Sequence, residues 1–180
     1  LGAAQSGFVE EIGYELYTKL LNRTLRKMKG EAVEDEMDAE IKIPVPAFIP
    51  EEYVADSTLR MGLYKRLANI EKEEEIPLLK QELEDRFGKI PPPLQSLLQI
   101  IPIRLLAQHL KITEIHHQKG GFVLKFHSTT PLTPEALVAL IQKNPREFQL
   151  KPPDKLICRT AQIDLLQEAW NTLKTLSNFI

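Results

Sequence analysis

Apolar positions along this chain keep a helical period through most of residues 12–110 and change to a strand period soon after. The pattern is sharpest over 79–91, which reads Leu-Lys-Gln-Glu-Leu-Glu-Asp-Arg-Phe-Gly-Lys-Ile-Pro. Leu79, Leu83 and Phe87 recur at i, i+4 and i+8, which sets them on one side of a helix and turns them to a core. Gly88 supplies the backbone freedom that ends a helix, and Pro91 blocks its continuation. Glu82, Asp85 and Arg86 fall together along one flank of that apolar stripe.

Residues 1–7 are small and glycine-containing, as a loop is. Residues 12–29 predict a helix with Tyr14, Tyr17, Leu21, Leu25 and Met28 on one side and Gly30 as its stop. Lys19, Arg23, Arg26 and Lys27 fall on its opposite side. Residues 31–40 hold six acids and no base, a self-repelling connector. Residues 41–45 alternate as a strand that Pro44 confines to a sheet edge or end. Asp56 or Ser57 caps a helix to about residue 69 that turns Leu59, Leu63, Tyr64 and Leu67 inward, with Arg60 within reach of Tyr64. The acidic run 71–75 leads into the helix of the opening stretch, which starts near Ile76 and Pro77. After Pro91, Pro92 and Pro93 the most apolar helix of the chain runs to about residue 110, and Pro102 is expected to kink it or split it in two.

Residues 112–117 and 121–127 predict a hairpin turned by 118–121. Thr133 caps a short helix to about 143, and 147–151 with 155–159 predict a second hairpin. A closing helix over about 162–177 is expected to bury Leu165, Leu166, Trp170 and Leu173. The fold class is therefore α+β, a helix-rich first part followed by two β-hairpins and a closing helix.

With 43% of its 180 residues hydrophobic, the chain can bury the core of a domain. No apolar run reaches membrane-spanning length and no secretory signal opens the sequence, so a membrane partner is not expected. The chain starts at Leu1 rather than Met and is expected to be a piece of a longer one. A single cysteine, Cys158, forms no internal disulfide, fits a reducing compartment and reads as a small buried hydrophobe in its strand. The net charge of −2 is unevenly spread, with 13 basic and 19 acidic side chains in residues 1–100 and 10 and 6 in residues 101–180. That polarity suits a protein partner of mixed charge and is too weak to specify nucleic acid.

Four histidines, His109, His116, His117 and His127, crowd into nineteen residues. His116 and His117 are adjacent in a strand and point to opposite faces, and no cysteine or carboxylate spacing completes a metal set. No phosphate-binding glycine loop, G-x-S-x-G or His-Glu-x-x-His pattern is present. Catalysis by this stretch of chain is not expected. Lys19, Arg23, Arg26 and Lys27 read either as solvated cations near a helix C-terminus or as the phosphate-contacting stripe of an accessory DNA-contacting domain. Glu82, Asp85 and Arg86 read either as solvated surface with a Glu82–Arg86 pair or as a docking flank.

At this point the residues resemble a known family. Gln5-Ser6-Gly7 through Ile12-Gly13-Tyr14-Glu15-Leu16-Tyr17 and Leu20-Leu21 is similar to the end of the motor region in bacterial transcription-repair coupling factors (Mfd). Ile49-Pro50-x-x-Tyr53-Val54-x-Asp56, Arg60-x-x-Leu63-Tyr64-x-x-Leu67 and Glu82-Leu83-x-Asp85-Arg86-Phe87-Gly88-x-x-Pro91 resemble the C-terminal (TRCF) domain that follows it. The match covers most of residues 1–110. Beyond Leu110 the resemblance is one of layout alone.

The resemblance implies a division into residues 1–30, the end of the motor linkage with its connecting helix, and 31–180, a C-terminal regulatory α+β domain. It implies a cytoplasmic bacterial parent that is an ATP-driven translocase on double-stranded DNA, displaces stalled RNA polymerase and recruits the excision-repair damage sensor (UvrA). Gln5 looks like the glutamine of the translocation motif, whose arginine lies outside this sequence. ATP and Mg belong to motor domains absent here, so no cofactor is expected in this piece. The C-terminal domain of the family packs on an N-terminal domain resembling a repair helicase and masks the sensor-binding surface. By motif, that masking contact falls on Glu82, Asp85 and Arg86.

Overall fold

A computed structural model describes residues 39–160 and 164–180 of the chain. These divide into two compact units, one of residues 45–101 and the other of 39–44, 102–160 and 164–180. The boundary expected near residue 30 lies outside the described residues.

The first unit is helical. Asp56 has extended backbone, and its carboxylate accepts from the Leu59 amide at 2.8 Å, satisfying an orphan donor at the start of α1 (Ser57–Ala68). Leu63, Tyr64 and Leu67 are buried on α1, while Leu59 is half-buried. The Tyr64 hydroxyl accepts from the Ile49 amide at 2.8 Å and ties the proline-rich segment to that helix. Arg60 reaches back to the Val54 carbonyl, 2.6 Å away.

Helix α2 (Glu75–Phe87) carries Pro77 in its first turn, where the missing amide costs little. A Glu75 carboxylate oxygen accepts from the amides of Glu71 and Lys72 at 3.2 and 3.0 Å, holding the entry turn. Leu79 and Leu83 are buried, and Phe87 is half-buried beside Tyr53. Gly88 closes the helix at φ 84°, ψ −162°, a region essentially reserved for glycine, while its amide still donates to Glu84 at 2.9 Å.

Helix α3 (Pro92–His109) runs through Pro102 as one helix rather than two. A proline inside a helix costs about 3 kcal/mol. Ile100, Ile101 and Ile103 around it are almost fully buried, and at ~1.5–3 kcal/mol each their burial outweighs the lost hydrogen bond.

The second unit is built on a five-stranded sheet of order β1-β2-β3-β5-β4. Strand β1 (Glu40–Lys42) pairs parallel with β2 (Ile112–Gln118) at one edge, where the following Pro44 cannot disturb a ladder. Strand β3 (Gly121–Phe126) returns antiparallel to β2. Strands β4 (Phe148–Lys151) and β5 (Lys155–Arg159) form the second hairpin. The two hairpins merge because β5 also pairs antiparallel with β3. Gly121 permits this: a Cβ there would lie 1.9 Å from the Cys158 carbonyl oxygen. Ile112, Ile115, Phe122, Leu124, Leu156 and Cys158 make a buried face, and burial pushes the Cys158 thiol well above its ordinary pKa.

Thr133 caps α4 (Pro134–Lys143) by accepting from the Ala136 amide at 3.2 Å, and Asp164 caps α5 (Leu165–Ser177) through the Gln167 amide at 3.0 Å. Helix α5 buries Leu166, Ala169, Leu173 and Leu176, leaving Leu165 and Trp170 half-buried. Leu166 and Leu173 are thus buried as expected, while Ala169 and Leu176 take the buried places expected of Leu165 and Trp170. The fold is α+β.

Gly120→Ala and Gly121→Ala separate backbone conformation from space. Gly120 has φ 84° with open space where a methyl would stand, so its substitution should cost about 1 kcal/mol in urea unfolding. Gly121→Ala must also push the β5 backbone away and should cost ~3 kcal/mol or more. Equal costs would show that close approach is not what Gly121 provides.

Candidate functional site

The outer side of α2 follows from its inner side. With Leu79 and Leu83 buried, Leu78, Glu82 and Asp85 recur at i, i+4 and i+7 along an exposed face, with Arg86 beside them. The end of this helix is braced from within the same unit. The Tyr53 hydroxyl lies 2.9 Å from both the Leu83 and Gly88 carbonyls, and its ring stands 5.6 Å from that of Phe87. Burial, and then the charge of Glu84, raises the Tyr53 pKa, and the protonated hydroxyl shares its single proton between those carbonyls.

Glu82 is already engaged. Arg66, on α1, grips its carboxylate with two parallel hydrogen bonds of 2.7 Å, and Arg86 adds a third at 3.2 Å. The Arg66 hydrogen bonds, helped by its charge and the contacts of Arg86, pull the Glu82 pKa from its ordinary 4.5 to about 2 against an opposing effect of burial that is second only to those hydrogen bonds. Arg86 also lies over the Phe87 ring, 5.1 Å from its centroid. Asp85 is exposed and has no partner among the described residues. Leu78 is 70% exposed, the most exposed of the large hydrophobic side chains among the described residues.

The structure thus brings Glu82 and Arg86 into contact and leaves Asp85 open beside them. Two participants escaped the sequence. Arg66 sits sixteen residues before Glu82 on another helix, beyond the reach of any i, i+4 rule. Leu78 flanks the buried stripe, and only its exposure marks it out. Gln5, Lys19, Arg23, Arg26 and Lys27 lie outside the described residues.

The chemistry available on this face is recognition: an open carboxylate, a cation with spare N–H groups and an apolar side chain. Among the described residues no group of three His, Cys, Asp or Glu could hold a metal ion. His127 shares a 2.9 Å hydrogen bond with Thr129, and His117 packs edge-on against Phe122. No helix among the described residues is long and apolar enough to cross a membrane.

The fold belongs to a known class of α+β C-terminal domains. A crystal structure of the C-terminal domain of a transcription-repair coupling factor matches 79% of this chain and 93% of its own, with a TM-score of 0.67 at 19% identity. The family model of the TRCF domain matches residues 43–137, and the chain belongs to that family. It is 33% identical over 181 residues to the transcription-repair-coupling factor of Rickettsia conorii, covering 98% of this chain and 16% of the relative. It is 34% identical over 161 residues to that of Escherichia coli, covering 87% of this chain and 14% of the relative. The chain thus spans about a sixth of the length of these curated relatives.

A double-mutant cycle of Arg66→Ala and Glu82→Ala, read by urea unfolding, should give a coupling of about 0.5–1 kcal/mol at neutral pH and low salt, as expected for a half-exposed, screened pair. Because the folded carboxyl titrates below its unfolded value, this coupling is fully present above pH 4.5 and fades as pH falls toward 2. A coupling that persists undiminished at the acid end would contradict an ion pair.

Proposed function

We propose that this chain is the C-terminal regulatory domain of a transcription-repair coupling factor and that the outer face of α2 is its autoinhibitory contact. The face docks on the N-terminal repair-helicase-like domain of the same parent and masks the surface that binds the excision-repair damage sensor. The parent is an ATP-dependent translocase on double-stranded DNA that releases stalled RNA polymerase in the bacterial cytoplasm. ATP and Mg act in its motor domains, and this domain itself neither hydrolyses ATP nor translocates.

The single observation that carries this reading is the unpartnered Asp85 on a rigidly braced helix, between half-engaged Arg86 and exposed Leu78. Asp85 accepts from a partner cation, and Arg86 donates the N–H groups that Glu82 leaves over. Glu82 has a different part: it holds Arg66 and Arg86 in place, so it orders the face instead of meeting the partner directly. Burying Leu78 supplies the apolar contribution that exposed ion pairs lack.

In the full-length parent, Asp85→Arg combined with Arg86→Glu should raise damage-sensor binding by about tenfold or more, since both charges then meet their like. Leu78→Asp should act in the same direction. Both variants of the isolated domain should stay folded, within about 1 kcal/mol of wild type in urea unfolding, because none of these side chains is buried and the Arg86–Glu82 contact that is lost is an exposed one. Continued exclusion of the sensor by folded variants would sink the proposal.

A further inference from the structure

The far edge of the sheet carries a second open surface, unrelated to α2. Strand β4 pairs with β5 and with no other described strand. The Arg159 amide donates to the Glu147 carbonyl at 2.7 Å, and hydrogen-bonded pairs alternate along an antiparallel ladder. Gln149, opposite Ile157, therefore turns its backbone groups toward β5, whereas Phe148 and Leu150 turn theirs outward. The Asn144 carbonyl takes the Phe148 amide at 3.1 Å. What remains at the edge is the amide and carbonyl of Leu150 with the carbonyl of Phe148, the pattern an added strand needs.

Beside this edge, α4 and β4 enclose a groove of about 420 Å³. Its floor is Val138, Ile141, Pro145, Phe148 and Leu150. Val138 is 46% exposed and Leu150 39%, so two large apolar side chains stand in water around one hollow. The charge around it has one dominant sign. Lys143, Arg146 and Lys151 are exposed, Arg159 lies at the groove margin, and Glu147 is the one acid between residues 138 and 151.

We propose that the α4–β4 groove is a docking site for an extended, acidic segment of a protein partner. The segment lies along β4 as a sixth strand, exchanges hydrogen bonds with Leu150, places an apolar side chain in the groove and sets its flanking carboxylates against Lys143, Arg146, Lys151 and Arg159. A helix would leave the Leu150 amide and carbonyl unpaired. A second copy of the chain, joined edge to edge, would set the same cations against one another, which is unfavourable directly across strands. Extended shape, alternating apolar positions and negative charge are the three properties the surface selects.

The test uses the 180-residue chain and a blocked synthetic peptide, Asp-Glu-Val-Thr-Leu-Thr-Val-Glu-Asp. Two control peptides replace its acids by lysine or its central leucine by proline. The acidic peptide should bind about tenfold or more tightly than either control, should slow hydrogen exchange at the Leu150 amide and should weaken as salt is raised. Leu150→Pro removes the outward amide without touching a β5 hydrogen bond, so binding should fall about tenfold with the sheet intact. Val138→Glu, on the α4 side of the groove, should weaken binding as much and carries the test if the proline variant misfolds. No binding up to about 1 mM peptide, a floor typical of weak recognition, overturns the proposal. Equal binding of acidic and lysine peptides, unchanged exchange at Leu150 or full binding by Val138→Glu overturns it too. So does a β4-centred dimer in sedimentation that Leu150→Pro dissolves, which would give the groove to a second copy.

Discussion

The second unit depends on β5 lying close enough to β3 to join two local hairpins into one sheet. Each hairpin alone is marginal, because two strands cannot hide an apolar face from water. Pairing Phe122 with Cys158 and Leu124 with Leu156 brings the large residues of both hairpins onto one buried face. The approach is tolerable because Gly121 has no side chain to strike the Cys158 carbonyl. The same pairing decides which strands become edges. Strand β1 closes one side with Lys42 held between Glu40 and Glu114, at 3.0 and 3.2 Å, a charged edge that discourages further pairing. Strand β4 closes the other and offers Leu150 instead.

In the first unit the equivalent constraint is the fixed end of α2. Tyr53 and Gly88 together decide where that helix stops, so the residues of its last two turns are held in known directions. Glu82 then organises the charge. Two arginines from different helices converge on one carboxylate, and the patch shown to solvent becomes a cationic rim with Asp85 as its open acid. Substitutions at Glu82 therefore disturb both α1–α2 packing and the outer face, whereas Asp85 touches only the latter.

Local features were legible in the sequence, and non-local ones were not. Asp56, Thr133 and Gly88 act where their spacing placed them, because caps and stops are decided by the first few neighbours. Both hairpins and an edge strand at Ile41 also followed from local turn and proline chemistry, although that strand spans Glu40–Lys42 rather than 41–45. The continuity of α3 through Pro102 required knowing how deeply Ile101 and Ile103 are buried, which the sequence does not contain. On α5 the apolar residues leave two adjacent phases open, and Ala169 and Leu176 decided between them. The candidate face was half legible: the helix period placed Glu82, Asp85 and Arg86 together, but the Arg66 clamp joins residues that only the fold brings near.

The weakness of each contact available on the α2 face suits the proposed masking. An exposed ion pair contributes roughly 0–1 kcal/mol, and burial of a leucine roughly 1.5–3 kcal/mol. Between separate molecules at micromolar concentration such a sum leaves the partners apart, because it must also offset the loss of free tumbling. Within one chain the opposing domain is present at an effective concentration on the order of millimolar. A net contact stronger than about 4 kcal/mol, the value at which a dissociation constant equals ~1 mM, then keeps the mask closed more often than open, and a competing partner of modest affinity can still displace it. A large apolar interface on the same helix would hold more firmly but would open too rarely to serve as a switch.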